Sequence, residues 1–160
     1  MIFVSVGHQM PFDRMLALIE EWSGRHERSD VFAQIGESGF QTTRFETRQW
    51  LTPQEYRDRL ERCTQFISHA GTGNIIQALG MGKPMLIFPR RADLHETRND
   101  HQVGTARYFE SRELLMAAYD AEGFRAALEG LEGFRPRARL GDYASEALTD
   151  RIRGFIGSVG

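Results

Sequence analysis

Cysteine is almost absent: Cys63 is the only one in 160 residues. A disulfide framework and a multi-cysteine metal site are therefore excluded. Long hydrophobic runs are missing too. Runs such as Met85-Leu86-Ile87-Phe88 are far below the ~18 residues needed to span a bilayer. There is no excess of positive charge: 20 Lys and Arg stand against 22 Asp and Glu, a formal net charge of -2. That removes the electrostatic footprint of a nucleic-acid binder. The opening residues Met1–Val6 have no basic leader and no cleavage site, so they read as a first strand rather than a signal peptide. Internal repeats and low-complexity segments are also missing. What remains is one domain's worth of chain, read as an α/β core over residues 1–131 and a C-terminal helix over 138–156.

Short apolar runs alternate with amphipathic stretches. Ile2–Val6, Val31–Ile35, Phe66–Ser68 and Met85–Phe88 are the compact apolar runs of strands buried on both faces. Thr42–Thr47 is read as a further short strand, and Leu114–Tyr119 fits either state. Helical spacing runs through Phe12–Trp22, Pro53–Cys63, Gly73–Met81, Asn99–Phe109, Phe124–Leu131 and Tyr143–Ile156. Thr52 is the expected cap of the second helix, ahead of Pro53 and Glu55. Strand and helix alternating at this spacing predict a doubly wound, parallel, Rossmann-like α/β fold with right-handed crossovers and C-terminal helices. Ligands in such folds bind at the carboxyl ends of the strands. The loops Gly7–Pro11, His69–Asn74 and Pro89–Gln102 are the ones to watch.

The middle loop carries the clearest motif, Ser68-His69-Ala70-Gly71-Thr72-Gly73-Asn74. It leaves a strand and opens onto a helix, the geometry that holds a phosphate on backbone N–H groups and a helix N-terminus. A dinucleotide fits poorly, because the loop after the first strand has one glycine and the third glycine of G-x-G-x-x-G would fall on Ile76. No Walker A pattern exists, which argues against ATP or GTP hydrolysis. The histidines are scattered, and His95 with His101 is not a metal-ligand spacing.

The stretch from Ile67 to Gln102 closely resembles the C-terminal, donor-binding half of glycosyltransferase family 28. The residues that carry this are Ile-Ser-His-Ala-Gly-Thr-Gly-Asn, Ala-Leu-Gly-Met-Gly-Lys-Pro, Phe-Pro-Arg-Arg, Glu96 and Asn-Asp-His-Gln. Val4-Ser5-Val6-Gly7, Pro11-Phe12-Asp13-Arg14 and Gln34-Ile35-Gly36-Glu37-Ser38 extend the match to about residues 1–110. Within the family it is most similar to the stand-alone, PssE/EpsE-like subunits of two-component glycosyltransferases. The resemblance implies the C-terminal half of a GT-B fold that takes a UDP-sugar. It implies inverting transfer to a lipid-linked sugar acceptor in exopolysaccharide biosynthesis, with no cofactor. A membrane-anchored partner would carry the acceptor site and recruit this cytoplasmic subunit to the inner face of the membrane.

Carried over residue by residue, the resemblance puts His69, Ala70, Gly71, Thr72, Gly73 and Asn74 at the diphosphate. Gln77, where the family often has Glu, would meet the ribose. Arg90, Arg91, Glu96, Asn99, His101 and Gln102 would surround the sugar and ribose. His8 and His69 are the candidate catalytic groups, with His8 facing the acceptor. Structural roles compete with several of these: His69 as a strand-end cap, Arg90 and Arg91 as solvated loop residues, Glu96 as a hydrogen-bond acceptor. The alternative function is a non-catalytic sugar-nucleotide sensor or scaffold. An NAD-dependent oxidoreductase is disfavoured by the first loop.

Overall fold

The computed structural model describes residues 1–8, 10–139 and 141. Six strands form one sheet: β1 (Ile2–Ser5), β2 (Val31–Gln34), β3 (Glu46–Arg48), β4 (Gln65–Ser68), β5 (Met85–Ile87) and β6 (Met116–Ala117). Among the described residues five α-helices connect and cover them: α1 (Asp13–Arg25), α2 (Pro53–Arg62), α3 (Thr72–Gly80), α4 (His101–Glu110) and α5 (Ala121–Gly130). The order is β3-β2-β1-β4-β5-β6, and every pairing is parallel. The chain winds outward from β1 in one direction, then returns to β4 and winds the other way. This is the doubly wound arrangement, with its switch point between β1 and β4. Tight register joins them: Ile2 faces Gln65 and Ser5 faces Ser68.

Period-two alternation divides the strands between two cores. Ile2, Val4, Ile67, Leu86 and Phe88 pack with Met15, Leu16, Ile19 and Trp22 of α1 and Phe124 and Leu128 of α5. Phe3, Phe66, Met85 and Ile87 turn the other way, against Leu60, Ile75, Leu79 and Ala106. Each such side chain, fully buried, contributes roughly 1.5–3 kcal/mol, so the centre of the sheet is rigidly held. That rigidity fixes the ends of β1, β4 and β5, from which the three loops leave.

The helices follow their sequence signals with small shifts. α1 runs one turn beyond Trp22, to Arg25. α5 starts earlier than Phe124 because the Asp120 carboxylate accepts the Gly123 N–H at 2.8 Å. β3 is shorter than Thr42–Thr47. Its ladder begins only at Glu46 opposite Phe32, since Thr42 Oγ1 binds the Arg44 N–H in a local turn instead. Leu114–Tyr119 resolves as the two-residue edge strand β6, paired with Leu86 and Ile87. The expected helix at Tyr143–Ile156 lies outside the described residues.

Candidate functional site: a cleft at the switch point

The loops leaving β1, β4 and β5 meet around a cleft of about 470 Å³. Val6, His8 and Met10 come from the first loop, His69 from the second, and Arg90 with Glu96–Asn99, His101 and Gln102 from the third. It sits where the strand order reverses, the position that favours ligands in open α/β sheets.

Helix α3 begins beside this cleft. Its N-cap is Gly71, which has no side chain to cap with. The first intrahelical bond runs from Ile75 N–H to Gly71 C=O at 3.1 Å. The N–H groups of Thr72, Gly73 and Asn74 therefore precede the ladder, as the first N–H groups of any helix do. No acidic residue occupies that first turn, so the positive end of the helix dipole is uncompensated. A Cβ on Gly73 would meet nothing within 4 Å, so its backbone lies open to an approaching group. Asn74 is turned inward: its Nδ2 donates to Ser68 Oγ at 2.7 Å, and Ser68 Oγ donates to Ser5 C=O at 3.0 Å. Ser5 in turn donates to Gln34 Oε1 at 2.9 Å, and Gln34 Nε2 donates to the Gly7 and Gln49 carbonyls. This buried polar chain ties the ends of β2, β1 and β4 to the start of α3.

His69 is wedged between two glycines. A Cβ on Gly7 would lie 2.5 Å from its Nε2, and one on Gly71 would lie 2.2 Å from its Cε1. Gly7 also has φ +83°, a conformation that side chains rarely adopt. The two loop glycines thus make room for an imidazole as well as shaping turns. Burial, and then the neighbouring Arg90 charge, push the His69 pKa down to about 4, so the ring is neutral near pH 7. Its Nδ1 is buried without a hydrogen-bond partner.

The far wall is built from the third loop. Gln102 is buried, and its Oε1 accepts the Ala70 N–H at 3.2 Å and the Arg90 N–H at 3.1 Å. One amide oxygen thus joins the glycine loop to the strand-β5 loop. Glu96 receives Arg14 through two bonds of 2.7 and 2.8 Å and also accepts the Arg91 N–H at 3.0 Å. Arg14 lies over the Phe88 ring at 4.0 Å, so the pair anchors the loop to α1. Asn99 Oδ1 accepts the His101 N–H at 3.2 Å and contacts His101 Nδ1.

The chain matches the glycosyltransferase family 28 C-terminal domain over residues 1–130. It belongs to that family. Solved structures show the same fold. The glycosyltransferase of kitacinnamycin is 21% identical with a TM-score of 0.63, covering 96% of this chain and 37% of its own. MurG of Acinetobacter baumannii is 12% identical at TM-score 0.61, covering 95% of this chain and 49% of its own. ALG13 is 15% identical at TM-score 0.60, covering 94% of this chain and 93% of its own. The chain thus spans little over a third of the kitacinnamycin enzyme and nearly all of the ALG13 structure. No curated protein matches the chain.

Of the expected residues, the cleft lining takes in His8, His69, Arg90, Glu96, Asn99, His101 and Gln102, and leaves out Ala70–Asn74, Gln77 and Arg91. Thr72, Gly73 and the exposed Gln77 face outward along α3. His8, His69, Asn99, His101 and Gln102 line the cleft. Ala70 is buried, its N–H already donated to Gln102. Arg91 lines a different hollow, beside Asp93, Asp100 and Arg107, and pairs with Asp93 at 2.6 Å. Glu96 acts as a hydrogen-bond acceptor for Arg14, the competing role anticipated for it.

Other parts of this family 28 site carry no motif of their own. Arg98 and Met10 reach the cleft rim, and Trp50 stacks on His8 with ring centroids 5.5 Å apart. Arg14 sits in the Pro11–Arg14 segment, which offered a signal; Trp50 offered none, because its place depends on how β3 docks beside β2.

Proposed function

We propose that this family 28 domain is the donor-binding catalytic subunit of a two-component inverting glycosyltransferase. It takes a UDP-sugar and transfers the sugar to a lipid-linked acceptor in exopolysaccharide biosynthesis. The observation that carries the reading is the start of α3: uncapped N–H groups and an open Gly73 beside a cleft at the switch point. A diphosphate there would be held by Thr72, Gly73 and Asn74 N–H groups and by the helix dipole. The same groups would stabilise the charge that develops on the leaving UDP as its bond to the anomeric carbon breaks. The acceptor hydroxyl would attack that carbon and release its proton to a base. His8 is exposed in the cleft and is the candidate within this chain. His69, neutral and weakly basic, would serve as a hydrogen-bonding wall.

The acceptor site belongs, in this reading, to a membrane-anchored partner that brings the subunit to the inner membrane face. What supports this reading is the match of residues 1–130 to the C-terminal domain of family 28, the half the resemblance assigns to the donor. Among the described residues no helix is long and apolar enough to cross a membrane. A second reading, a sugar-nucleotide sensor or scaffold, draws on Gln77 standing where a ribose-binding Glu was expected.

Thermal shift tests the donor. UDP at 100-fold above Kd adds about 2.7 kcal/mol of stability, a rise of several degrees for a domain this size, whereas NAD leaves the melting temperature unchanged. No shift with UDP or UDP-sugars would remove the donor assignment. Co-expression with an adjacent acceptor-domain gene, followed by transfer assays, separates enzyme subunit from sensor.

A further inference from the structure

Arg90 is the most deeply buried charged side chain of the cleft, 4% exposed. Its guanidinium donates to four backbone carbonyls. Nη1 reaches Pro11 at 2.8 Å and Glu96 at 3.3 Å, and Nη2 reaches Val6 at 2.8 Å and Met10 at 2.5 Å. The Phe12 ring lies 4.6 Å from its centre. The three first-loop carbonyls, of Val6, Met10 and Pro11, stand on either side of His8 in sequence. The fourth belongs to the third loop, and the Arg90 N–H is held by Gln102, which also holds the glycine loop. A planar fork with fixed donors suits this task, and an ammonium does not.

We propose that Arg90 is a positioning residue, which straps the His8-bearing loop to the other two cleft loops and sets where His8 stands relative to the donor. Its carbonyl-bound donors point away from a ligand role. This rests on the donor-cleft reading for its purpose but not for its geometry. Trp50 reports on it, because the His8 ring stacks on the Trp50 ring with centroids 5.5 Å apart. The chain has two tryptophans, and Trp22 is buried in the core, so a Trp22→Phe background isolates the signal.

In that background, acrylamide quenching of Trp50 is measured for the parent, Arg90→Lys and His8→Ala, without ligand. Arg90→Lys keeps the charge but loses the fork. Quenching should rise toward the His8→Ala value, and UDP affinity should fall about tenfold, the loss expected when one charged hydrogen bond's worth of ordering is removed. Parent-like quenching in Arg90→Lys overturns the proposal. Should Arg90→Lys fail to fold, ¹⁵N-arginine NMR on the unaltered chain decides. Guanidinium protons of Arg90 that exchange slowly and stay in place on adding UDP, while the Thr72 and Gly73 amides move, support the strap. Freely exchanging protons, or a shift matching those amides, overturn it. If the unaltered chain ignores UDP, the donor reading fails while the quenching result still judges the strap.

Discussion

Helices α2 and α3 both enter from loops at the carboxyl edge of the sheet, and their first turns are opposites. Thr52 Oγ1 accepts the Glu55 N–H at 3.2 Å, and Glu55 Oε2 accepts the Thr52 N–H at 2.7 Å. With Pro53, which has no N–H, at the first helical position, α2 has a side-chain capping box at its N-terminus. At α3 the cap position is Gly71 and no side chain closes the end. A helix that finishes its own N-terminus has no further need of an anion. One that leaves it bare beside a cleft at the strand-order switch point has free N–H groups to offer an anion, as the donor reading requires.

The sharpest ways to break this contrast act at α3. Gly71→Ala should cost about 3 kcal/mol by overpacking, since its Cβ would overlap His69; urea denaturation at neutral pH measures it. Gly73→Asp should fold, because the position is open, yet lose the ~2.7 kcal/mol that saturating UDP confers. A retained UDP shift would mean the bare helix end holds no diphosphate. A pH series probes the wedge between the loops. His69 has a folded pKa near 4, below the ordinary ~6.5, so the unfolded chain binds more protons between those values. Stability should fall as pH drops through that window, by on the order of 2 kcal/mol after allowing for partial exposure. His69→Gln should flatten this step in parallel urea titrations at both ends of the window. The smallest effect belongs to the closed helix. Thr52→Ala should cost about 1 kcal/mol and leave the UDP shift intact.

Much of this was readable from residue order alone. Runs such as Met85–Phe88 and the Thr52-Pro53-Glu55 cap are local signals, and the structure places them where their chemistry predicts. The three strand-end loops converge as alternation of strands and helices requires. What stayed hidden are tasks set by distant neighbours. Arg90 reaches carbonyls some eighty positions away in sequence, and Arg14 meets Glu96 across a similar gap. Neither partner can be named before the strand order is known. Gln34 is another such case, a polar side chain buried in an apolar run because three strand ends need tying. The glycines of the Gly71-Thr72-Gly73 motif also part company: one clears space for an imidazole and the other faces solvent.

Gly7, His69 and Gly71 make a lock in which neither glycine can gain a side chain while the imidazole is in place. Alanine at position 71 is ruinous only while an imidazole fills the gap, so His69→Ala should rescue Gly71→Ala and make the two substitutions strongly non-additive. Gly7 is rescued less fully, because its φ of +83° remains a burden after the ring has gone. Mutational routes through this loop are therefore ordered: the histidine must shrink before position 71 can acquire a side chain, and position 7 is the last to be released.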